Sequence, residues 1–217
     1  MTTKPFAIRR FYFFIASLLL AVALGAQAQP KPGSAEEMMR NLIQTVSTDL
    51  DKLYKAKRIE DRAAIENLIK TDILPHVDQQ RLTQRVFRQY WPQLVKANRQ
   101  QEAQERVINA VIRTYAAALS NYSGDTLTLV NVNEQPNRTT AKSRLRRPNG
   151  QIIQLDFSLA KKDGQWLVND MAVDGIVVSL TLFNAMKSVW DQQGMDAALD
   201  SVGSMDINTQ KQQQQQP

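Results

Sequence analysis

The residues from Gln151 to Gly194 leave this chain few folds to choose from. Ile153, Leu155, Phe157 and Leu159 alternate with Gln154, Asp156 and Ser158, the period of two that marks a strand with one buried face. Lys161-Lys162-Asp163-Gly164 carries the Asp-Gly chemistry of a hairpin turn. Trp166, Leu167, Val168, Met171, Ala172 and Val173 make a second strand. After Asp174-Gly175 the chain runs from Ile176 to Gln193 without Gly or Pro, which predicts a helix of roughly four or five turns.

That helix is apolar around well over half its circumference. Ile176, Leu180, Phe183 and Trp190 share one side, and Val178, Leu182, Met186 and Val189 lie nearly opposite. Thr181, Asn184, Ser188, Asp191 and Gln192 crowd into a narrow wedge. A surface helix shows an apolar stripe of roughly 100°, so this one needs apolar company on two sides. Either it is buried between two layers, or one side faces the sheet while the other lines a cavity for an apolar ligand.

Residues 1–28 read as an export signal. Lys4, Arg9 and Arg10 precede an apolar run from Phe11 to Gly25, and Ala26-Gln27-Ala28 is a small-x-small cleavage site. The run is shorter than the ~20 apolar residues of a membrane span. The chain has no cysteine, which excludes disulfides, thiolate metal sites and a lipid-modified cysteine. Residues 1–28 hold three of the 27 Lys and Arg and no acid, so without them the net charge falls from +6 to +3. That is a weak basic footprint for a nucleic-acid binder, and none is expected as partner.

Residues 29–35 form a Pro- and Gly-bearing linker, and 36–204 a single domain, helical over 36–123 and sheet plus helices over 124–204. Residues 205–217 are a Gln-rich tail of low complexity, expected to be disordered. Ser34 with Glu37 is a capping box opening a helix to about Lys57. Asp61 caps a second helix, which Pro75 ends, and Asp78 a third, which Trp91-Pro92 closes or kinks. Asn98 with Gln101 reads as another capping box, opening a long helix that stops before Gly124. Strands over 125–135 and 139–147, the latter ended by Pro148-Asn149-Gly150, complete a four-stranded antiparallel meander with the two strands of the opening stretch. A last short helix spans about Asp196 to Val202. Helices, then strands, then closing helices is an α+β order.

Catalytic chemistry finds little purchase. His76 is the one histidine, too few with no cysteine for a zinc site. No phosphate loop, nucleophile elbow or calcium loop occurs. Asp156, Asp170 and Asp174 lie in or beside strands, and Asp156 points away from the apolar face. No catalytic residue, metal or cofactor is assigned. Lys142, Arg144 and Arg146 share one strand face, with Arg147 next in line. They are either a solvated face that discourages edge pairing or a contact for anionic headgroups or an acidic partner.

Several short motifs then fall into a familiar order: Leu74-Pro75-His76-Val77-Asp78, Gln89-Tyr90-Trp91, Thr114-Tyr115-Ala116, Trp166-Leu167-Val168-Asn169-Asp170-Met171, Gly175-Ile176 and Gly194-Met195-Asp196. In order and spacing the chain, from about Ala35 to Val202, resembles the MlaC or toluene-tolerance family of periplasmic phospholipid-binding proteins. It departs at Val177, where the family usually has Ser two residues after the Gly. The resemblance implies an NTF2-like sheet-and-helix domain with extra helices and a deep apolar pocket for acyl chains. It further implies a shuttle that maintains outer-membrane lipid asymmetry. Its partners would be an outer-membrane lipoprotein complex and an inner-membrane ABC transporter complex with an MCE-domain component.

Physical reasoning points the same way. Each CH₂ kept from water is worth ~0.8 kcal/mol, so a long acyl chain costs on the order of 12 kcal/mol to leave bare. The candidate sheath is Leu127, Leu129, Leu155 and Phe157 from the strands, with Leu182, Phe183, Met186 and Val189 from the last long helix. Phe87, Tyr90 and Tyr115 would close the other side. Core and pocket wall share one sequence signature, so each of these also reads as ordinary core. The expectation is a monomeric carrier without catalysis. A hopanoid-type carrier, an NTF2-like enzyme on an apolar substrate, and an interaction protein without ligand are the alternatives.

Overall fold

A computed structural model describes residues 31–135 and 138–205. The export signal, the start of the linker and the tail beyond 205 lie outside those residues. Ser34 opens the first helix, α1 (Ala35–Lys55): its Oγ accepts the Glu37 N–H at 3.1 Å, while the Glu37 carboxylate reaches back to the Gly33 N–H at 2.6 Å. Asp61 accepts from Ala64 N–H at 3.1 Å and starts α2 (Arg62–Leu68). The chain then widens into a π-turn (Ile69–Ile73) and tightens into a 3₁₀ turn (Leu74–His76) around Pro75. Asp78 accepts from Arg81 N–H at 3.0 Å and starts α3 (Gln79–Phe87). Its own N–H donates to Val168 O at 2.8 Å, tying this corner to the sheet.

Two expectations fail here. Trp91-Pro92 does not close α3, which ends at Arg88; it opens a new helix, α4 (Trp91–Lys96), with the proline in the first turn. There its missing N–H costs nothing. Asn98 is not an N-cap. It sits at φ +55 just past α4, and α5 (Gln100–Leu119) starts after Arg99 with no side-chain cap. Asn is nearly as suited to a left-handed helix exit as to a helix entrance.

The strands follow as an antiparallel meander: β1 (Thr126–Gln135), β2 (Arg138–Arg146), β3 (Ile152–Lys162) and β4 (Gln165–Val173). A fifth strand, β5 (Ile176–Val177), was expected to be helix. Asp174 at φ +50 and Gly175 at φ +81 repeat the turn geometry of Asp163-Gly164, so the chain folds back and pairs Ala172 with Val177. The last helix, α6 (Val178–Ser204), therefore starts two residues later and runs through a break at Gly194. Within it Leu180 is exposed and Thr181 buried, against the wheel, because the Thr181 hydroxyl is satisfied by Val177 O at 3.0 Å.

Register separates the sheet faces. Ala141, Leu129, Val132, Phe157, Leu159 and Val168 share the face on which α1 packs. Consecutive apolar Leu129 and Val130 are reconciled by a bulge that leaves Val130 exposed. Two packed centres result. The larger joins α2, α3, α5 and α6 around Phe87, Val107, Leu182, Met186 and Leu199. The smaller holds Met39 and Leu42 of α1 against Ala141, Leu159 and Val168. Val46 and Val77 touch both.

Candidate lipid-binding site

The nominated residues divide into three groups. Phe87, Tyr90, Leu182, Phe183 and Met186 are buried together in the helical centre. Tyr90 stacks on Trp190 at 4.7 Å, Phe87 meets Trp190 edge-on at 6.0 Å, and the Tyr90 hydroxyl donates to Asp191 Oδ1 at 2.5 Å. That hydrogen bond to a carboxylate raises the Tyr90 hydroxyl above its ordinary range. These side chains close on one another and leave almost no surface for a guest. Leu129 and Phe157 are half-buried against the smaller centre, and Tyr115 against the larger. Leu127, Leu155 and Val189 are half-buried and belong to neither.

Leu127 and Leu155 have company that the sequence did not single out. Leu127 pairs with Leu145 and Leu145 with Ile153; Leu155 pairs with Val173 and Val173 with Ile176. Directly opposed residues of an antiparallel pair share a face. The six therefore form one apolar strip across all five strands, on the face that carries α1, at the end where β1 begins. Every one is half-buried and outside both packed centres. In the sequence Leu145 is masked by the flanking Arg144 and Arg146, and Ile176 by the apolar helical run that follows it. Beside the strip, Tyr54 and Tyr122 meet edge-to-face at 5.7 Å.

Tyr115 supplies a second observation. Desolvation, with the Asp170 charge adding to it, pushes its hydroxyl well above the ordinary phenol range. Yet the residue is only half-buried, and its hydroxyl has no hydrogen-bond partner among the described residues.

The other sheet face is polar. A trough of about 540 Å³ crosses it, lined by Asn133, Arg138, Thr140, Lys142, Asp156, Ser158 and Val177 among others. Asp170 lies at its far side, buried, accepting the Ser179 hydroxyl at 2.5 Å and the N–H groups of Met171 and Ser179 at 2.9 and 3.3 Å. Arg85 stands 3.7 Å away. Val177 offers α6 no side-chain cap, so Asp170 caps it from the neighbouring strand. An aspartate so fully engaged as an acceptor is a structural anchor. His76 sits in the 3₁₀ turn, and among the described residues no group of three or more His, Asp or Glu could hold a metal ion. Nor is any helix among them long and apolar enough to cross a membrane.

Lys142, Arg144 and Arg146 are exposed on this polar face, joined by Arg138; Arg147, past the strand end, is half-buried.

No curated protein matches the chain. Among solved structures it is similar to the phospholipid-binding protein from Ralstonia solanacearum in complex with a phospholipid, with a TM-score of 0.62 at 22% identity. The match covers 82% of this chain and 94% of that one, and bears on the fold. The family model described as MlaC protein matches residues 40–203, and the chain belongs to that family.

Proposed function

We propose that the chain is a carrier that sheathes the acyl chains of a phospholipid along the apolar strip, between the sheet and the half-buried faces of α1 and α5. The observation that carries this reading is the strip itself: six adjacent apolar side chains on the covered face of the sheet that pack into neither core. A protein interior closes such surface unless something else fills it. Family membership supports binding and transport rather than catalysis, and the Ralstonia neighbour holds a phospholipid. Leu127, Leu129, Leu155, Phe157 and Tyr115 are the contacts we assign to the cargo. Phe87, Tyr90, Leu182, Phe183 and Met186 form the floor behind them, and Val189 flanks it. On this reading the carrier works in the periplasm as a monomer. It takes phospholipid between an outer-membrane lipoprotein complex and an inner-membrane ABC transporter complex with its MCE-domain component, in the service of outer-membrane lipid asymmetry.

The test is solvent extraction of the purified protein and mass spectrometry of what it holds. A phospholipid is the expected result. A hopanoid-type lipid would redirect the cargo, and a protein that copurifies with no lipid and takes none from vesicles would end the proposal. Leu127→Gln with Leu155→Gln should weaken lipid retention by roughly tenfold or more, since burying a leucine is worth about 1.5–3 kcal/mol.

A further inference from the structure

We propose that the exposed basic side chains of β2 form a docking surface for the anionic headgroup layer of a membrane. The proposal takes its purpose from the lipid-carrier reading but stands on its own observations. Arg138, Lys142, Arg144 and Arg146 occupy one face of a strand that is not at the sheet edge, so discouraging edge pairing does not explain them. Alternate residues of a strand lie roughly 7 Å apart, so the four make a line of charge about 27 Å long.

None of the four has an ion-pair or hydrogen-bond partner among the described residues. The cations of α1, by contrast, are compensated: Arg40 pairs with Glu36 at 2.6 Å, Lys52 with Asp49 at 2.6 Å, and Lys55 with Asp51. The cross-strand neighbours of the basic line are mostly neutral: Thr126, Thr128, Asn131, Gln135, Gln154 and Ile152. The nearby acids are Asp156, opposite Lys142, Asp170, at the far side and engaged by Ser179, and Asp174, whose carboxylate accepts the Gln154 N–H at 2.8 Å. Arg144 and Arg146 thus face no carboxylate directly across either neighbouring strand.

Headgroups fit this chemistry better than a protein does. Protein interfaces centre on buried aromatic and apolar anchors, and this face has no aromatic residue at its outward positions. Its exposed large aliphatics are isolated: Ile152, opposite Arg146, and Val130 at the bulge of β1 beside Asn131. Arg144 and Arg146 also lie at the same end of the sheet as Leu127, Leu145 and Ile153, on the reverse side of the same strands.

Vesicle flotation tests it. The full chain should float with vesicles of phosphatidylcholine containing a minority of phosphatidylglycerol, fail to float with phosphatidylcholine alone, and be released by high salt as screening shortens the field. Each cation near such a surface contributes about a fivefold change in affinity. Lys142→Gln with Arg144→Gln and Arg146→Gln should thus lower apparent affinity on the order of a hundredfold. A control with Arg40→Gln, Lys52→Gln and Lys55→Gln removes the same charge from α1 and should float as wild type does. Thermal melts should show both variants folded, the β2 variant matching wild type and the α1 control lower by a few degrees at most, since its three helix pairs contribute about 0.2–0.5 kcal/mol each. Equal flotation of the two triple variants, or equal binding of wild type to neutral vesicles, overturns the proposal. So does flotation only with membranes that retain their own proteins, which would make the partner an acidic protein surface. Carried lipid is measured separately by mass spectrometry, so a lipid-free chain that still floats overturns the cargo and leaves the docking surface standing.

Discussion

An acceptor oxygen three residues ahead of an amide fixes where α1, α2 and α3 begin: Ser34 to Glu37, Asp61 to Ala64, Asp78 to Arg81. Each side chain satisfies a backbone donor that the helix leaves unpaired. Asp78 does the most, because it is buried, lies 3.8 Å from Arg81 and 3.7 Å from Lys162, and shares its backbone with the sheet through Val168. Asp78→Ala should destabilise the fold by about 1–2 kcal/mol, and Asp78→Asn by clearly less, read as shifts in the urea midpoint. Equal losses from both would mean that the charge, not the cap, is what matters. These caps were legible because one residue type and one spacing suffice. Asn98 was misread for the same reason: its pattern fits a cap, but its φ of +55 is set by the exit of α4.

Between elements, turns decide more than propensity. Asp163-Gly164 and Asp174-Gly175 share one turn geometry, and the second creates β5 from residues whose side chains suit a helix equally well. Apolarity alone cannot separate the two states when the run is short. Gly194 acts in the opposite sense. At φ +86 and ψ −171 it breaks α6 and sends the last turns back along α5. There Arg99 pairs with Asp196, Arg106 with Asp200 at 3.1 Å, and Arg113 donates to the carbonyls of Gly203 and Met205. That region of backbone space is nearly closed to other residues, at a cost of about 1–3 kcal/mol. An added Cβ would meet nothing within 4 Å. Gly194→Ala should therefore lower stability by that conformational cost, about 1–3 kcal/mol. A neutral result in urea titration would show that the break relaxes into continuous helix.

At the scale of the molecule, burial divides residues that look alike in sequence. Leu182 is fully buried and Leu155 half-buried, though both were nominated for the same wall. Leu182→Ala should cost about 2–5 kcal/mol as a core cavity does. Leu155→Ala in lipid-free protein should cost well under that, because part of its surface is already open. Chemical denaturation of the two variants side by side checks the difference, and equal losses would mean that the strip is core after all. The strip draws its residues from five strands, Leu127 on the first and Ile176 on the last, so no short window of sequence contains it.

By itself the sequence determined the α+β order, the helix starts, the meander and the alternation that makes one sheet face apolar, because each depends on neighbours within a few residues. Its ordered motifs also identified the family. Only the tertiary structure decided which apolar side chains close on each other and which stay open. That depends on how far α1 and α6 reach across the sheet, and hydrophobicity is the same on either side of that boundary.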